Sequence, residues 1–158
     1  MSIHLRPATT RDASDASRVL CQSITECCYE DHRGNAVALQ AWLANKTPEN
    51  VGLWIQNPGL FSVVATVHDQ MVGFAMSARS GNVLLCYLVP QVRFTGLGKA
   101  MLHQIEAQAR RDGLQALSLE STQTAKPFYL RHHFVPNGAP IVAFGMHSYP
   151  MVKTLAQG

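Results

Sequence analysis

The sequence predicts an α/β (α+β) fold in a single domain over residues 1–158. Its expected core is one mixed, mostly antiparallel sheet of six to seven strands, flanked by four to five helices. Helical spacing of apolar residues fills the first third of the chain, and short β-branched runs follow it. A strand, a glycine-bearing turn, a helix and another strand succeed one another from residue 83, which predicts one parallel crossover.

The first third of the chain is predicted to hold one short strand and three helices. His4–Arg6 fits a strand closed by Pro7, and Thr9 with Asp12 three residues later resembles a capping box. The helix opened there is expected to reach about Tyr29, before a polar break over 31–35. The two further helices are expected around Leu39–Leu43 and from Thr47-Pro48 to a stop at Asn57-Pro58-Gly59.

The rest of the chain alternates predicted strands with two helices. Two β-branched runs on either side of His68-Asp69-Gln70 indicate an antiparallel hairpin, and Gly113 suits the C-terminal end of a helix. In chain order the predictions are strands Phe61–Val67, Met71–Met76 and Val83–Val89, helix Lys99–Asp112, strand Leu114–Glu120, helix Thr124–His132, and strands Ile141–Phe144 and Met146–Val152.

Composition and charge exclude several classes of protein. Hydrophobic residues make up 47% of the chain and charged residues 15%, which is typical of a packed globule and not of a disordered tail. The formal net charge of +3 comes from scattered basic residues, so we expect neither nucleic acid nor a membrane as a partner. No apolar run reaches the roughly 20 residues that a membrane-spanning helix needs.

The four cysteines indicate a reduced, cytoplasmic protein. They form no CxxC pair, and the first residues lack the apolar core of a signal peptide. Cys21 and Cys28 lie seven positions apart, so we expect them on one helix face as small core residues. The seven histidines form no HxxxH or HExxH pattern, and we therefore expect no metal site.

The turn Arg93-Phe94-Thr95-Gly96-Leu97-Gly98 lies between a predicted strand and a predicted helix. The first N–H groups of a helix lack internal acceptors and carry the positive end of the helix dipole, so they can bind a phosphate. Gly96 and Gly98 would let a phosphate approach, while Arg93 and Lys99 add charge. Neither the P-loop pattern nor GxGxxG is present. By itself the turn also fits a plain start of a helix, or an unrelated phosphate-binding domain.

At these residues the chain resembles the GCN5-related N-acetyltransferase (GNAT) family. The turn matches the family pattern [RQ]xxGx[GA] in full, and Leu88-Val89-Pro90 resembles the end of the preceding strand. A second family pattern, Asn-x-x-Ala-x-x-x-Tyr-x-x-x-Gly-Phe, finds its alanine, tyrosine and phenylalanine in register at 122–134. Thr122 replaces the asparagine and His133 the glycine, so a left-handed backbone at His133 would be strained.

The resemblance implies an acyl-CoA-dependent N-acyltransferase, with acetyl-CoA as the donor and an unidentified small-molecule or peptide amine as the acceptor. The amine would attack the thioester directly, while the backbone N–H of Leu88 or Val89 polarises the carbonyl. A non-catalytic acyl-CoA-binding regulatory module is the alternative. The residues implied in cofactor binding are Leu88, Val89, Arg93, Phe94, Thr95, Gly96, Leu97, Gly98, Lys99, Thr122 and Tyr129.

Tyr129 is the side chain expected to assist catalysis, because its phenol can donate to the departing thiolate. The competing interpretation is that its ring only packs beside Phe128 and Phe134. Glu120 is the first candidate for the base that deprotonates the amine, and Glu26, Glu30, Asp31 and His32 are alternatives in the helical region. These carboxylates favour a cationic amine. By analogy with the family, strand pairing through Ile141–Val152 would form a homodimer.

Overall fold

The computed structural model describes residues 2–155, and within them the chain forms six α-helices and one eight-stranded sheet. The helices are α1 (Ala13–Cys27), α2 (Tyr29–His32), α3 (Ala36–Leu43), α4 (Pro48–Gln56), α5 (Leu97–Arg111) and α6 (Lys126–Arg131). The strands are β1 (Ile3–Pro7), β2 (Leu60–Val67), β3 (Gln70–Ala78), β4 (Asn82–Leu88), β5 (Ala116–Ser121), β6 (Val135–Pro136), β7 (Ile141–Ala143) and β8 (Met146–Thr154).

The predicted fold class is confirmed, with more strands than expected. The strand order is β1-β2-β3-β4-β5-β8-β6, and β7 pairs with β8 beside this path. Each neighbouring pair is antiparallel except β4 with β5, which helix α5 connects as a crossover. The added strand β6 has only two residues, too few for a periodic pattern in the sequence to reveal it.

The centre of the sheet is covered on both faces. Successive residues Ser62–Ala65 of β2 and Gly73–Ser77 of β3 are all buried, although neighbouring side chains on a strand point to opposite faces. Helices α1 and α5 both pack on β3 and β4, and α4 packs on α1. Among the largest fully buried side chains are Leu20 and Ile24 of α1 and Met101 and Ile105 of α5. Their burial is the main stabilising contribution to the domain.

The first helix differs from the prediction because it breaks at Cys28. Helix α1 ends at Cys27, and α2 follows where a polar break was expected. The prediction that Cys21 and Cys28 share one helix face is therefore wrong, although Cys28 is buried. At the start of the same region, the Thr9 N–H donates to Asp12 Oδ2 at 2.7 Å, which confirms that Asp12 caps this turn.

Helices α5 and α6 end in the same backbone motif. After α5, the Leu114 N–H donates to the Ala109 carbonyl and Gly113 has a φ of +76°. After α6, the Phe134 N–H donates to the Tyr129 carbonyl and His133 has a φ of +73°. Both are Schellman endings, which need a left-handed residue. The predicted glycine end of α5 is confirmed, and His133 takes the strained conformation that a glycine would adopt without penalty.

Candidate active site

Strands β4 and β5 separate after a short stretch of parallel pairing. The pairs Asn82↔Ser118 and Val83↔Leu119 join them, whereas β4 continues to Leu88 and β5 to Ser121. A cleft therefore opens within the sheet, between two strands that start side by side. Its lining residues are Val83, Leu84, Leu85, Cys86, Tyr87, Leu119, Glu120, Thr122, Ala125 and Tyr129.

The backbone of β4 presents alternate residues to this cleft. On the other side of β4, Leu88 lies opposite Gly73, and the Val89 N–H donates to the Val72 carbonyl at 2.9 Å. In an antiparallel ladder this bond makes Leu88 and Gly73 a non-hydrogen-bonded pair, so the N–H of Leu88 points away from β3 and towards the gap. Both backbone groups of Val89 are engaged, because its carbonyl accepts from the Val92 N–H at 3.2 Å. Of the two N–H groups implied by the resemblance, only that of Leu88 faces the cleft.

The chain between β4 and α5 forms a turn that ends at an uncapped helix N-terminus. Pro90–Val92 is one turn of 3-10 helix, and Thr95 Oγ1 donates to the Val92 carbonyl at 2.6 Å. Gly96 occupies the N-cap of α5, where no side chain caps the first N–H groups. These N–H groups are therefore free of side-chain partners at the positive end of a 15-residue helix, which is a suitable site for a phosphate.

Glycine is favoured at the two positions of the turn for different structural reasons. Gly96 has a φ of +87°, and a Cβ built on it would meet nothing within 4 Å, so backbone conformation alone favours glycine there. Gly98 has no such φ, but a Cβ there would lie 3.2 Å from Cε1 of Phe128 and 3.5 Å from Cδ2 of Leu88. Gly98 thus lets the turn lie against α6 and the end of β4.

Arg93 and Phe94 form the exposed side of the turn. Phe94 is 90% exposed and has a φ of +63°, and the Arg93 guanidinium carbon lies 4.9 Å from the centre of its ring. Lys99 is exposed on the first turn of α5. The predicted binding residues of the turn are therefore brought together around the N-terminus of α5.

Tyr129 packs against aromatic neighbours and also lines the cleft, so its position is compatible with both interpretations drawn from the sequence. Its ring is 7% exposed and meets the rings of Phe128 and Phe134 edge to face, at centroid distances of 5.2 and 5.4 Å. The same residue lines the cleft together with Cys86 of β4. Burial raises the pKa of the Tyr129 phenol well above its usual value, so the hydroxyl stays protonated at neutral pH. No pattern in the sequence singled out Cys86 as a residue of this cleft.

The opposite wall of the cleft carries Glu120 and Thr122. Glu120 is exposed near the end of β5, in register with Pro150 of β8. Thr122 accepts a hydrogen bond from the Ala125 N–H on its Oγ1 at 3.0 Å, so its hydroxyl caps the turn that leads into α6.

Asp31 and His32, which the sequence placed in a polar break and offered as alternative bases, are held inside the protein. Both are buried, and both ring nitrogens of His32 are occupied. Its Nε2 faces the carbonyls of Ile24 and Thr25, each at 3.2 Å, and its Nδ1 accepts from the Gly34 N–H at 3.0 Å. These contacts assign the proton to Nε2, because two carbonyl oxygens need a donor. Neither residue has a free basic atom facing the cleft.

The ends of α1 and β4 meet beside Leu88. Cys27 Sγ lies 3.9 Å from the Leu88 carbonyl oxygen. Burial raises the pKa of the Cys27 thiol, and it raises the pKa values of Cys28 and Cys86 to about 12. The thiols around the cleft are therefore protonated, and poor nucleophiles, at neutral pH.

Between residues 2 and 155 no three histidine, cysteine or acidic side chains are grouped as a metal ion would require. Over the same range, no helix combines the length and apolarity needed to cross a membrane.

The whole fold is similar to solved structures of acetyltransferases. A GCN5-related N-acetyltransferase structure from Rhodopseudomonas palustris, also described as a class-II aminotransferase, superposes with a TM-score of 0.86 at 20% identity, over 98% of this chain and 97% of that one. The PaiA N-acetyltransferase from Thermoplasma acidophilum, solved with coenzyme A, gives a TM-score of 0.81 at 18% identity, over 98% and 99%. The ribosomal-protein-S18-alanine N-acetyltransferase from Escherichia coli gives 0.69 at 15% identity, over 99% and 96%.

No sequence of a curated protein matches the chain. The family model described as "Acetyltransferase (GNAT) domain" matches residues 28–155, which include the cleft, the glycine turn and the helix that carries Tyr129. The chain therefore belongs to the GNAT acetyltransferase family.

Proposed function

We propose that this acetyltransferase transfers an acetyl group from acetyl-CoA to an amine, by direct attack of the amine on the thioester. The observation that carries the proposal is the gap between β4 and β5. The Leu88 N–H points into this gap and the buried Tyr129 lines it. The uncapped N-terminus of α5 follows the end of β4 in the chain. Thioester aminolysis needs an oxyanion donor, a site for the cofactor and a donor to the leaving sulfur.

The cofactor would enter with its pyrophosphate on the N–H groups from Phe94 to Lys99, and Arg93 would add a positive charge. Its pantetheine arm would run along the open edge of β4, where alternate backbone groups lack a strand partner from Leu84 onwards. Coenzyme A is the ligand named for the Thermoplasma acidophilum structure, which has the same fold. That likeness and the helix terminus both support coenzyme A as the cofactor.

In the reaction, the amine nitrogen would form a bond to the carbonyl carbon while the Leu88 N–H donates to the developing oxyanion. The carbon–sulfur bond would then break, leaving the CoA thiolate. Because burial raises the pKa of Tyr129, the phenol is a weak acid, and its contribution is a hydrogen bond that stabilises the thiolate. The protonated thiols of Cys27, Cys28 and Cys86 favour direct attack over a covalent acetyl-cysteine intermediate.

Glu120 is the remaining candidate for the base, since its exposed carboxylate lines the cleft while Asp31 and His32 are engaged elsewhere. Glu26, at the end of α1 next to Cys27, is a second exposed carboxylate. These two exposed carboxylates support an acceptor that carries positive charge.

The test is release of free thiol from acetyl-CoA with a panel of spermidine, kanamycin, L-lysine, a peptide with a free N-terminal alanine and a peptide with an internal lysine. We expect thiol release with at least one amine. We also expect coenzyme A, but not ATP or NAD, to raise the melting temperature, because a ligand stabilises the state that binds it. Stabilisation by coenzyme A without turnover of any amine would instead support the non-catalytic module. No stabilisation by coenzyme A would overturn the proposal.

We infer further that the hairpin of β7 and β8 pairs with a second copy of the chain. Ile141, Val142 and Phe144 are 45%, 60% and 64% exposed, and residues 135–146 carry no charged side chain. An uncharged apolar edge strand can pair without like-charge repulsion. Light scattering on the purified chain should give the mass of a dimer, and Val142→Lys should give the monomer. A monomeric wild-type chain would overturn this inference.

The free state of all four cysteines is consistent with the reduced, cytoplasmic location that we infer.

A further inference from the structure

Asp31 joins two parts of the chain that lie more than 90 positions apart. Its Oδ1 accepts from the Gln123 N–H at 2.6 Å, and its Oδ2 accepts from the Thr124 N–H at 3.2 Å and from Thr124 Oγ1 at 2.5 Å. The residue is only 9% exposed. A buried carboxylate that accepts three hydrogen bonds holds its partners firmly, because removing the acceptor would leave those donors unpaired.

The partners of Asp31 belong to the loop that starts α6. In this loop the Ala125 N–H donates to Thr122 Oγ1 at 3.0 Å, and the Tyr129 N–H then donates to the Ala125 carbonyl at 3.1 Å. Helix α6 has six residues, which is too short to be stable by itself. Its orientation therefore depends on how its first turn is anchored.

Asp31 also lies next to the part of the chain that contacts the end of β4. It lies on α2, directly after α1, whose last residue Cys27 lies 3.9 Å from the Leu88 carbonyl oxygen. One carboxylate therefore connects the segment beside Leu88 to the helix that carries Tyr129.

We propose that Asp31 is a positioning residue, which places the Tyr129 hydroxyl beside the leaving sulfur by fixing the 122–125 loop to α2. This inference rests on the proposed function for the role of Tyr129. The placement itself is a property of the protein without substrate and can be measured separately.

The first experiment is Asp31→Asn, which keeps the shape of the side chain but sets an amide donor against the N–H donors of the loop. With acetyl-CoA and the most active amine of the panel, we expect kcat to fall about tenfold, with the KM for acetyl-CoA changed less than about twofold, because only the reacting geometry is disturbed. Thr124→Val keeps both backbone hydrogen bonds to Asp31 and removes only the bond from Thr124 Oγ1. We therefore expect a smaller loss of kcat, about threefold. Asp15→Asn, which removes an exposed carboxylate of α1, is the matched charge control and should leave kcat unchanged.

The second experiment asks whether the effect passes through Tyr129. In the Tyr129→Phe background, Asp31→Asn should cause no further loss of kcat, since residues that act as one unit are not additive. A full additional loss in the double variant would overturn the proposal, as would an unchanged kcat in Asp31→Asn.

The third experiment needs no acceptor. The four tyrosines are replaced by 3-fluorotyrosine, and the fluorine resonance of Tyr129 is assigned by its loss in Tyr129→Phe. We expect Asp31→Asn and Thr124→Val to shift or broaden this resonance, and Asp15→Asn to leave it unchanged. An unchanged resonance in the folded Thr124→Val and Asp31→Asn proteins would overturn the positioning role. A shifted resonance, together with a Tyr129→Phe enzyme of normal turnover, would uphold the positioning role and contradict the proposed catalytic role of Tyr129.

Discussion

The two sides of the cleft are built from different kinds of groups. The donor wall, formed by β4, the glycine turn and the start of α5, offers mainly backbone groups: the N–H of Leu88 and the first N–H groups of the helix. The acceptor wall, which we assign to the end of α1, to α2 and to the end of β5, offers side chains such as Glu26 and Glu120. Backbone groups suit the pyrophosphate, the pantetheine arm and the thioester, which all acyl-CoA molecules share. Side chains can differ between related proteins according to the amine that each accepts. This difference explains why the structure indicates the cofactor more clearly than the acceptor.

The largest effect is expected at Tyr129, the residue of α6 that lines the cleft. Tyr129→Phe removes the hydroxyl but keeps the ring packed against Phe128 and Phe134. We expect kcat to fall about 100-fold, because the leaving sulfur loses its hydrogen-bond donor. Steady-state kinetics and calorimetric titration with coenzyme A will test this, and the affinity should stay within about twofold of wild type. Normal turnover would mean that Tyr129 only packs.

Glu120→Gln tests whether the acceptor wall takes a proton from the amine as well as binding it. The amide cannot accept a proton from the amine, so we expect kcat/KM for the amine to fall about tenfold, with the KM for acetyl-CoA unchanged. The measurement is initial rate against amine concentration at saturating acetyl-CoA. Equal losses for a cationic and a neutral amine would indicate a base, whereas a loss confined to the cationic amine would indicate charge recognition.

Gly98→Ala tests the donor wall alone. The new Cβ would lie 3.2 Å from the Phe128 ring, so the turn must move by a few tenths of an ångström, and we expect the KM for acetyl-CoA to rise about fivefold. Gly52→Ala in α4 is the control, because its Cβ would lie at an ordinary 3.6 Å from the Ala13 Cβ. That variant should keep its KM and gain about 0.5–1 kcal/mol in the free energy of unfolding. Equal KM values in both variants would show that the turn tolerates displacement.

The smallest effect is expected at the end of α6. His133→Gly relieves a left-handed residue at φ +73°, so we expect the free energy of unfolding to rise by about 0.5–1 kcal/mol in urea titrations. Gly113→Ala is the reverse experiment, because it puts a side chain on a left-handed residue. The added Cβ would meet nothing within 4 Å, so backbone strain is the only change expected. It should lower the stability by about 1 kcal/mol. Similar stabilities of the wild type and His133→Gly would mean that other contacts of His133 offset the strain.

The donor wall could be predicted from the sequence because its signals are local. The glycine turn, the proline after β4 and the following helix lie within one stretch, and the structure keeps them together at the N-terminus of α5. The resemblance to the GNAT family extended this prediction to the cofactor and to Tyr129. Which of the Leu88 and Val89 N–H groups points into the cleft could not be predicted, because that depends on the register of β4 with β3.

The acceptor wall could not be predicted, because its decisive contacts are distant in sequence. Asp31 appeared as a charge in a polar break, yet its partners Gln123 and Thr124 follow more than 90 residues later and make its burial favourable. His32 is buried for a similar reason, since its ring satisfies the carbonyls that α1 leaves open at its end. A histidine at the end of α6 was visible in the sequence, but its left-handed backbone was established only by the Schellman hydrogen bonds.

The short ladder between β4 and β5 has a consequence for how the domain unfolds. Between the strands β1–β4 and the strands β5–β8 the sheet is joined by only two residue pairs, so it contains a seam with few cross-strand bonds at its middle. A cofactor whose arm lies along β4 occupies this seam as a substitute strand. Bound coenzyme A should therefore join the two halves into one cooperative unit, which native-state hydrogen exchange would detect as opening free energies that become equal across the seam.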